Sequence, residues 1–141
     1  MNIVRMDSFT VMGREVRTSN ARELSGQSAI GQLWSKMSPD LGTPVAIYSE
    51  YASDKDGEYT YMLGAEIGFD ETLPLQYSKR TTEEGNYACL KSEGPVTPQL
   101  VQDLWRQIWA LEDAGKLPRA YRTDFEIYSG KGIELYVGVK S

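Results

Sequence analysis

Apolar residues along the chain change period several times, and each change marks an element. Phe9 and Val11 alternate with polar neighbours over Ser8 to Val16, which predicts a strand with a bulge at Gly13. Asn20 and Glu23 then have the spacing of a capping box. Ile30, Leu33, Trp34 and Met37 fall at i, i+3, i+4 and i+7, one apolar helical face, with Pro39 beyond its end. Gly26 and Gly31 weaken the first turns of that helix. A hairpin follows: Pro44 to Tyr51, a turn through Ser53-Asp54-Lys55-Asp56-Gly57, and Glu58 to Ile67.

The second half repeats this order. Tyr87 to Lys91 reads as a strand, and Thr97-Pro98 places a capping residue before a proline at the first helical position. Leu100, Leu104, Ile108 and Leu111 form the apolar stripe of a helix that Gly115 and Pro118 stop. A closing hairpin runs from Thr123 to Tyr128, turns through Ser129-Gly130-Lys131-Gly132, and returns from Ile133 to Lys140. The two copies align Leu33-Trp34 with Leu104-Trp105, Tyr48-Ser49-Glu50-Tyr51 with Phe125-Glu126-Ile127-Tyr128, and Leu63-Gly64 with Val137-Gly138. The expected architecture is therefore α+β, one domain over residues 1–141. It is a tandem βαββ repeat with pseudo-two-fold symmetry and a ligand groove between the halves.

Composition narrows the chemistry that groove can host. The 141 residues contain no histidine, which removes imidazole bases, His triads and His-ligated metals. Cys89 is the single cysteine and reads as a small buried filler, with no internal disulfide or thiolate cluster open to it. A net charge of −5, with Arg5, Arg14, Arg17 and Arg22 dispersed, argues against a nucleic-acid track. No stretch approaches the ~18 apolar residues of a membrane span, and MNIVRMDSFTVMG lacks the pattern of a signal peptide. Neither a membrane partner nor direct nucleic-acid binding is expected, and the expected compartment is the cytoplasm. Nine Tyr and three Trp stand against three Phe, an amphipathic aromatic excess that suits a partly wet surface such as a pocket.

Period-two alternation through the closing hairpin puts Phe125, Ile127, Ile133, Leu135, Val137 and Val139 on one face. It puts Glu126, Tyr128, Glu134, Tyr136 and Gly138 on the other. An anionic aromatic face suits a flat cation, which phenol and indole faces attract and a carboxylate neutralises. A Glu126 buried without a protein partner would have its pKa raised by desolvation and lowered again by a bound cation. Pattern alone favours exposed strand positions for Glu126 and Glu134, because Glu is rarely buried. Trp34 lies on an apolar stripe and reads as core. Trp105 is one step off its stripe, so it is the better candidate for a ligand contact, with Trp109 extending the same wall at i+4. Tyr48 and Tyr87 face either core or groove.

Four segments together resemble one family: Ala29-Ile30-Gly31-Gln32-Leu33-Trp34, Glu84-Gly85-Asn86-Tyr87-Ala88, Ser92-Glu93-Gly94-Pro95 and Asp124-Phe125-Glu126-Ile127-Tyr128. They are similar to the GyrI-like effector-binding domain, the ligand-sensing half of multidrug-responsive AraC- and MerR-type regulators. The resemblance runs from about Met6 to Lys140 and leaves no room for a DNA-binding module, as in stand-alone effector-binding proteins carried on integron gene cassettes. It implies the tandem βαββ fold and an aromatic pocket for lipophilic cations with a carboxylate at its base. By position that carboxylate falls on Glu126, with Tyr128 two residues on. A second acidic position falls on Glu134 with Tyr136 beside it, and the helix tryptophans match Trp34 and Trp105; Trp109 departs from the pattern. The resemblance reverses the exposed reading for Glu126 and leaves Glu134 open between the two.

The reading is thus a binder of amphipathic cations, acting as sensor or sequestering protein. Its expected ligand contacts are Glu126, Trp105, Tyr128, Tyr136, Glu134, Tyr87, Tyr48 and Trp34. No catalytic residue, metal or cofactor is assigned. Two alternatives stand beside it: a protein-interaction module, gyrase-inhibitor-like or partnering a separate DNA-binding regulator, and a Glu/Tyr-dependent hydrolase of strained electrophilic rings.

Overall fold

The computed structural model describes residues 1–140. Its strands are β1 (Asn2–Met6), β2 (Thr10–Ser19), β3 (Val45–Ser49), β4 (Glu58–Ile67), β5 (Ser78–Thr81), β6 (Gly85–Glu93), β7 (Arg119–Ser129) and β8 (Gly132–Val139). Its helices are α1 (Asn20–Leu24), α2 (Ile30–Lys36) and α3 (Pro98–Asp113). All eight strands join one antiparallel sheet in the order β1-β6-β8-β7-β3-β4-β2-β5. Outward from the β7–β3 contact the order is β7, β8, β6 on one side and β3, β4, β2 on the other. The two βαββ units therefore meet about a pseudo-two-fold axis at that seam, as the repeat predicts.

Two connections force this sheet to curl. Residues 7–9 link β1 to β2, and residues 82–84 link β5 to β6, although each pair stands six places apart in the order. In a flat sheet six spacings would be about 29 Å, whereas three linking residues reach about 14 Å at most. The sheet must roll up, and its inside holds Val11, Val45, Ile47, Met62, Tyr87, Cys89, Phe125 and Tyr136. Phe9, on the first of these connections, closes it by meeting the Phe125 ring edge-on at 4.9 Å. The outer face carries Ala46, Tyr48, Tyr59, Tyr61, Leu63, Leu135 and Val137 against Leu33 of α2 and Leu104, Trp105 and Ile108 of α3.

Curling needs a place where backbones can crowd. Gly13 pairs with Gly64 across β2 and β4. A methyl on Gly64 would stand 1.8 Å from the Met12 carbonyl oxygen, and one on Gly13 2.2 Å from that of Leu63. Those obstacles are main chain and cannot swing aside. Gly64→Ala should therefore cost about 3 kcal/mol of overpacking strain, read as a lower urea midpoint. Gly130→Ala, where nothing lies within 4 Å, should leave the midpoint nearly unchanged; equal shifts would refute the close approach.

Four expectations need correction. The first helix is two, α1 and α2, broken around Gly26. Ser19, not Asn20, caps α1 by accepting from the Arg22 N–H. The edge strands β1 and β5 were not foreseen. The closing hairpin has the opposite facing across its turn. Glu126 pairs with Leu135 and Phe125 with Tyr136, so Glu126 and Tyr128 share their face with Ile133, Leu135 and Val137. The loop holds only Gly130 and Lys131 between the paired Ser129 and Gly132, and an even-length loop sets even positions opposite odd ones. The same register shifts the repeat alignment by one. Leu63 pairs with Ala46 and Val137 with Asp124, so matching Leu63 to Val137 matches Tyr48 to Glu126.

Candidate functional site

Glu126 lies on the outer face of β7, beside the seam, opposite Ala46 of β3. It is 1% exposed. Its Oε2 accepts from the Trp105 Nε1–H at 2.7 Å and the Tyr48 hydroxyl at 2.8 Å, and its Oε1 accepts from the Tyr128 hydroxyl at 2.5 Å. Alternation carries Tyr128 to the same face two residues on. The pseudo-two-fold brings Tyr48 from the other half, and α3, capped by Thr97, lowers Trp105 onto the pair. All three donors are neutral, and among the described residues no Lys or Arg makes an ion pair with Glu126. Burial pushes its pKa up, and the hydrogen bonds from Tyr128, Trp105 and Tyr48 draw it part of the way back. Burial first, and the Glu126 charge second, hold the Tyr48 and Tyr128 hydroxyls well above the ordinary tyrosine range, so both remain donors.

Around this carboxylate the aromatics form walls. Trp34 meets Tyr128 edge-on at 4.7 Å and donates its Nε1–H to the Tyr61 hydroxyl at 3.0 Å. The Tyr48 ring lies 4.9 Å from that of Trp105, which lies 6.4 Å from Trp109. Between α2, α3 and the seam they enclose a cavity of about 810 Å³, within the range of small-molecule sites. Of the sequence-predicted contacts, Glu126, Trp105, Tyr128, Tyr48 and Trp34 line it together. Trp34 thus belongs to the wall, and Leu33 is the buried member of its helix.

Tyr87, Glu134 and Tyr136 lie elsewhere, on the inner side of the sheet, which corrects the expectation that they share one groove with Glu126. Tyr136 stacks on Phe125 at 4.8 Å and donates to Glu134; Glu134 also pairs with Lys91 at 3.8 Å. Tyr87 bonds the Thr123 hydroxyl at 2.9 Å and the Glu83 carbonyl. The hairpin register that turned the face over is the cause for Glu134 and Tyr136, while Tyr87, which alternation left open, takes the core side. Cys89 is buried in the same inner cluster, where desolvation raises its thiol pKa.

Arg119 and Glu23, like Lys55, line the cavity without having been foreseen from the sequence. Arg119, 5% exposed, contributes to the lining and pairs with the fully buried Asp124 at 2.7 Å. Its guanidinium lies 4.2 Å from the centre of the Tyr121 ring and 5.6 Å from those of Trp105 and Tyr51. Asp124 further accepts from the Tyr51 hydroxyl and, at 2.8 Å, from the Gly138 N–H. The Glu23 carboxylate reaches forward from α1 to accept from the N–H groups of Ala29 and Ile30 at 3.0 and 3.2 Å, and so caps α2. It also accepts from Thr18 and Ser28, both at 2.6 Å.

This construction, a curled α+β sheet with an aromatic cavity at a pseudo-symmetric seam, is that of an effector-binding protein. The chain belongs to the family described as Cass2, integron-associated effector binding protein, which it matches over residues 2–139. It is similar to an integron cassette protein from the mobile metagenome of Vibrio cholerae, with 33% identity and a TM-score of 0.84 over 99% of this chain and 95% of that one. Bacillus subtilis YobU, described as a transcriptional regulator, is 27% identical over 99% of this chain and 97% of its own length. SAV2435, solved with tetraphenylphosphonium bound, shares the fold at 20% identity and a TM-score of 0.65, covering 99% of this chain and 93% of that one.

Proposed function

We propose that the chain binds lipophilic organic cations in the seam cavity, as a sensor or sequestering protein. Glu126 is the counter-ion, and Trp34, Tyr48, Trp105 and Tyr128 are the stacking walls. The observation that carries this is the buried carboxylate of Glu126, held by neutral donors alone inside an aromatic cavity. Such a group is costly to ionise and regains that cost when a desolvated cation enters. SAV2435, a fold relative, binds tetraphenylphosphonium, a lipophilic cation, which supports the same ligand class here. The family is one of effector binders, which supports reversible binding over hydrolysis.

The test is linkage. A raised Glu126 pKa means that folding without ligand shifts this carboxyl towards its protonated form. That stabilising contribution is complete below the ordinary carboxylate value and is lost as pH rises through the raised one. Cation binding favours the ionised form and so has the opposite slope. Tetraphenylphosphonium affinity should rise across that pH window, with proton release seen by calorimetry in buffers of different ionisation enthalpy. A neutral tetraphenyl analogue should show neither effect. A pH-independent cation affinity would contradict the assignment of Glu126.

A further inference from the structure

The charges around the cavity do not cancel, and the imbalance has a definite layout. Four acidic or basic side chains line it: Glu23, Lys55, Arg119 and Glu126. Both bases are already neutralised by acids that lie outside the lining. Lys55 pairs with Asp113 at 3.2 Å and Asp56 at 3.8 Å. Arg119 pairs with Asp124 at 2.7 Å and Glu112 at 3.5 Å. Among the described residues neither Glu126 nor Glu23 has a basic partner. Every group that holds them is a hydroxyl, an indole N–H or a backbone N–H. They belong to different walls, Glu126 to β7 beneath α3 and Glu23 to α1.

Tyr59 connects the two electrostatically. Its ring lies 5.5 Å from that of Tyr48, which donates to Glu126, and its hydroxyl donates to Asn20 Oδ1 at 3.1 Å, in the same short helix as Glu23. Burial first, then the charges of Glu23 and Glu126, raise the Tyr59 pKa, so both carboxylates act on one ring. Aromatic surface therefore runs from one carboxylate towards the other. A ligand with one positive centre neutralises Glu126 and leaves Glu23 uncompensated in a partly desolvated wall.

We infer that the cavity takes an aromatic ligand with two cationic centres, one set against Glu126 and the other against Glu23, with the linking rings on Tyr48 and Tyr59. This rests on the proposed cation pocket and narrows its ligand class from lipophilic cations to elongated dications. Glu23 is then a specificity-determining residue as well as the cap of α2. Because its four donors are fixed by the chain, it meets the second cation without rearranging.

The experiment uses bis-benzamidines of graded linker length and analogues of equal length in which a neutral amide replaces one amidine. On the wild-type protein the best bis-amidine should bind about tenfold tighter or more than its mono-cationic twin. In Glu23→Gln the advantage should vanish while the mono-cationic affinity persists. That persistence, with a melting curve, shows that the cavity survives weakening of the α2 cap. Equal affinities of the twins on wild type at every length would overturn the second cation site and leave the Glu126 pocket standing. If neither twin bound, the cation pocket itself would fall. The wild-type comparison decides the matter even if the variant does not fold.

Discussion

Glu126→Gln should lower affinity for lipophilic cations by about 10- to 100-fold, the loss of one charge-assisted contact in a dry site. Affinity for a neutral ligand of the same shape should change by less than about twofold. Gln fits the space, and its amide can still accept from Tyr48 and Trp105, so the walls remain in place. The same substitution removes a carboxylate that burial makes costly to ionise. Near neutral pH the variant should therefore melt above wild type, and the difference should close as pH falls towards the ordinary carboxylate range. Weaker cation binding together with greater thermal stability is a signature that a general packing defect cannot produce. Equal losses for cationic and neutral ligands would instead make Glu126 a structural residue.

Asp124→Asn should have the largest effect on stability. Asp124 is fully buried and receives the Arg119 guanidinium, the Tyr51 hydroxyl and the Gly138 N–H. Removing its charge leaves a buried guanidinium with only the longer pairing to Glu112 at 3.5 Å, a change that costs about 3 kcal/mol. Urea unfolding should show a midpoint lowered accordingly at unchanged slope. Arg119 also stacks on Trp105, the indole that holds Glu126, so ligand affinity should weaken in the variant as well. A shift within about 0.5 kcal/mol, the range of ordinary surface substitutions, would mean that the pair contributes little to holding the seam.

Why the sequence showed some of this and hid the rest is a matter of range. Strong local periodicity revealed the two βαββ units, the α3 cap at Thr97 and the central strands, because burial on one face writes itself into every second or every fourth residue. Strands β1 and β5 carry no such record. At the sheet edges their positions are mostly exposed or half-buried, and they pair only because the connections through residues 7–9 and 82–84 roll the sheet up. The hairpin facing depends on a loop of even length, and carrying the period-two count straight through that loop put Glu134 and Tyr136 on the wrong side.

Glu126 was found through the family resemblance, since pattern alone favours an exposed strand position for it. Arg119 had no signal of its own. It stands five positions before Asp124, a spacing that puts them on opposite faces of a regular strand. Tyr121, with φ of 55°, and the register shift between Arg119 and Asp124 bring them together. Glu23 was noticed for the wrong reason, as half of a capping box on its own helix, when its carboxylate caps the next one.

Trp34, Trp105 and Trp109 all line the seam cavity for which selection of positive charge is proposed. A titration of intrinsic tryptophan fluorescence with cationic, neutral and anionic planar dyes of matched size therefore tests that selection directly. Saturable quenching by the cationic dye, with much weaker quenching by the neutral one and none by the anion, is the result expected. Equal affinity for all three dyes, or preference for the anion, would contradict it.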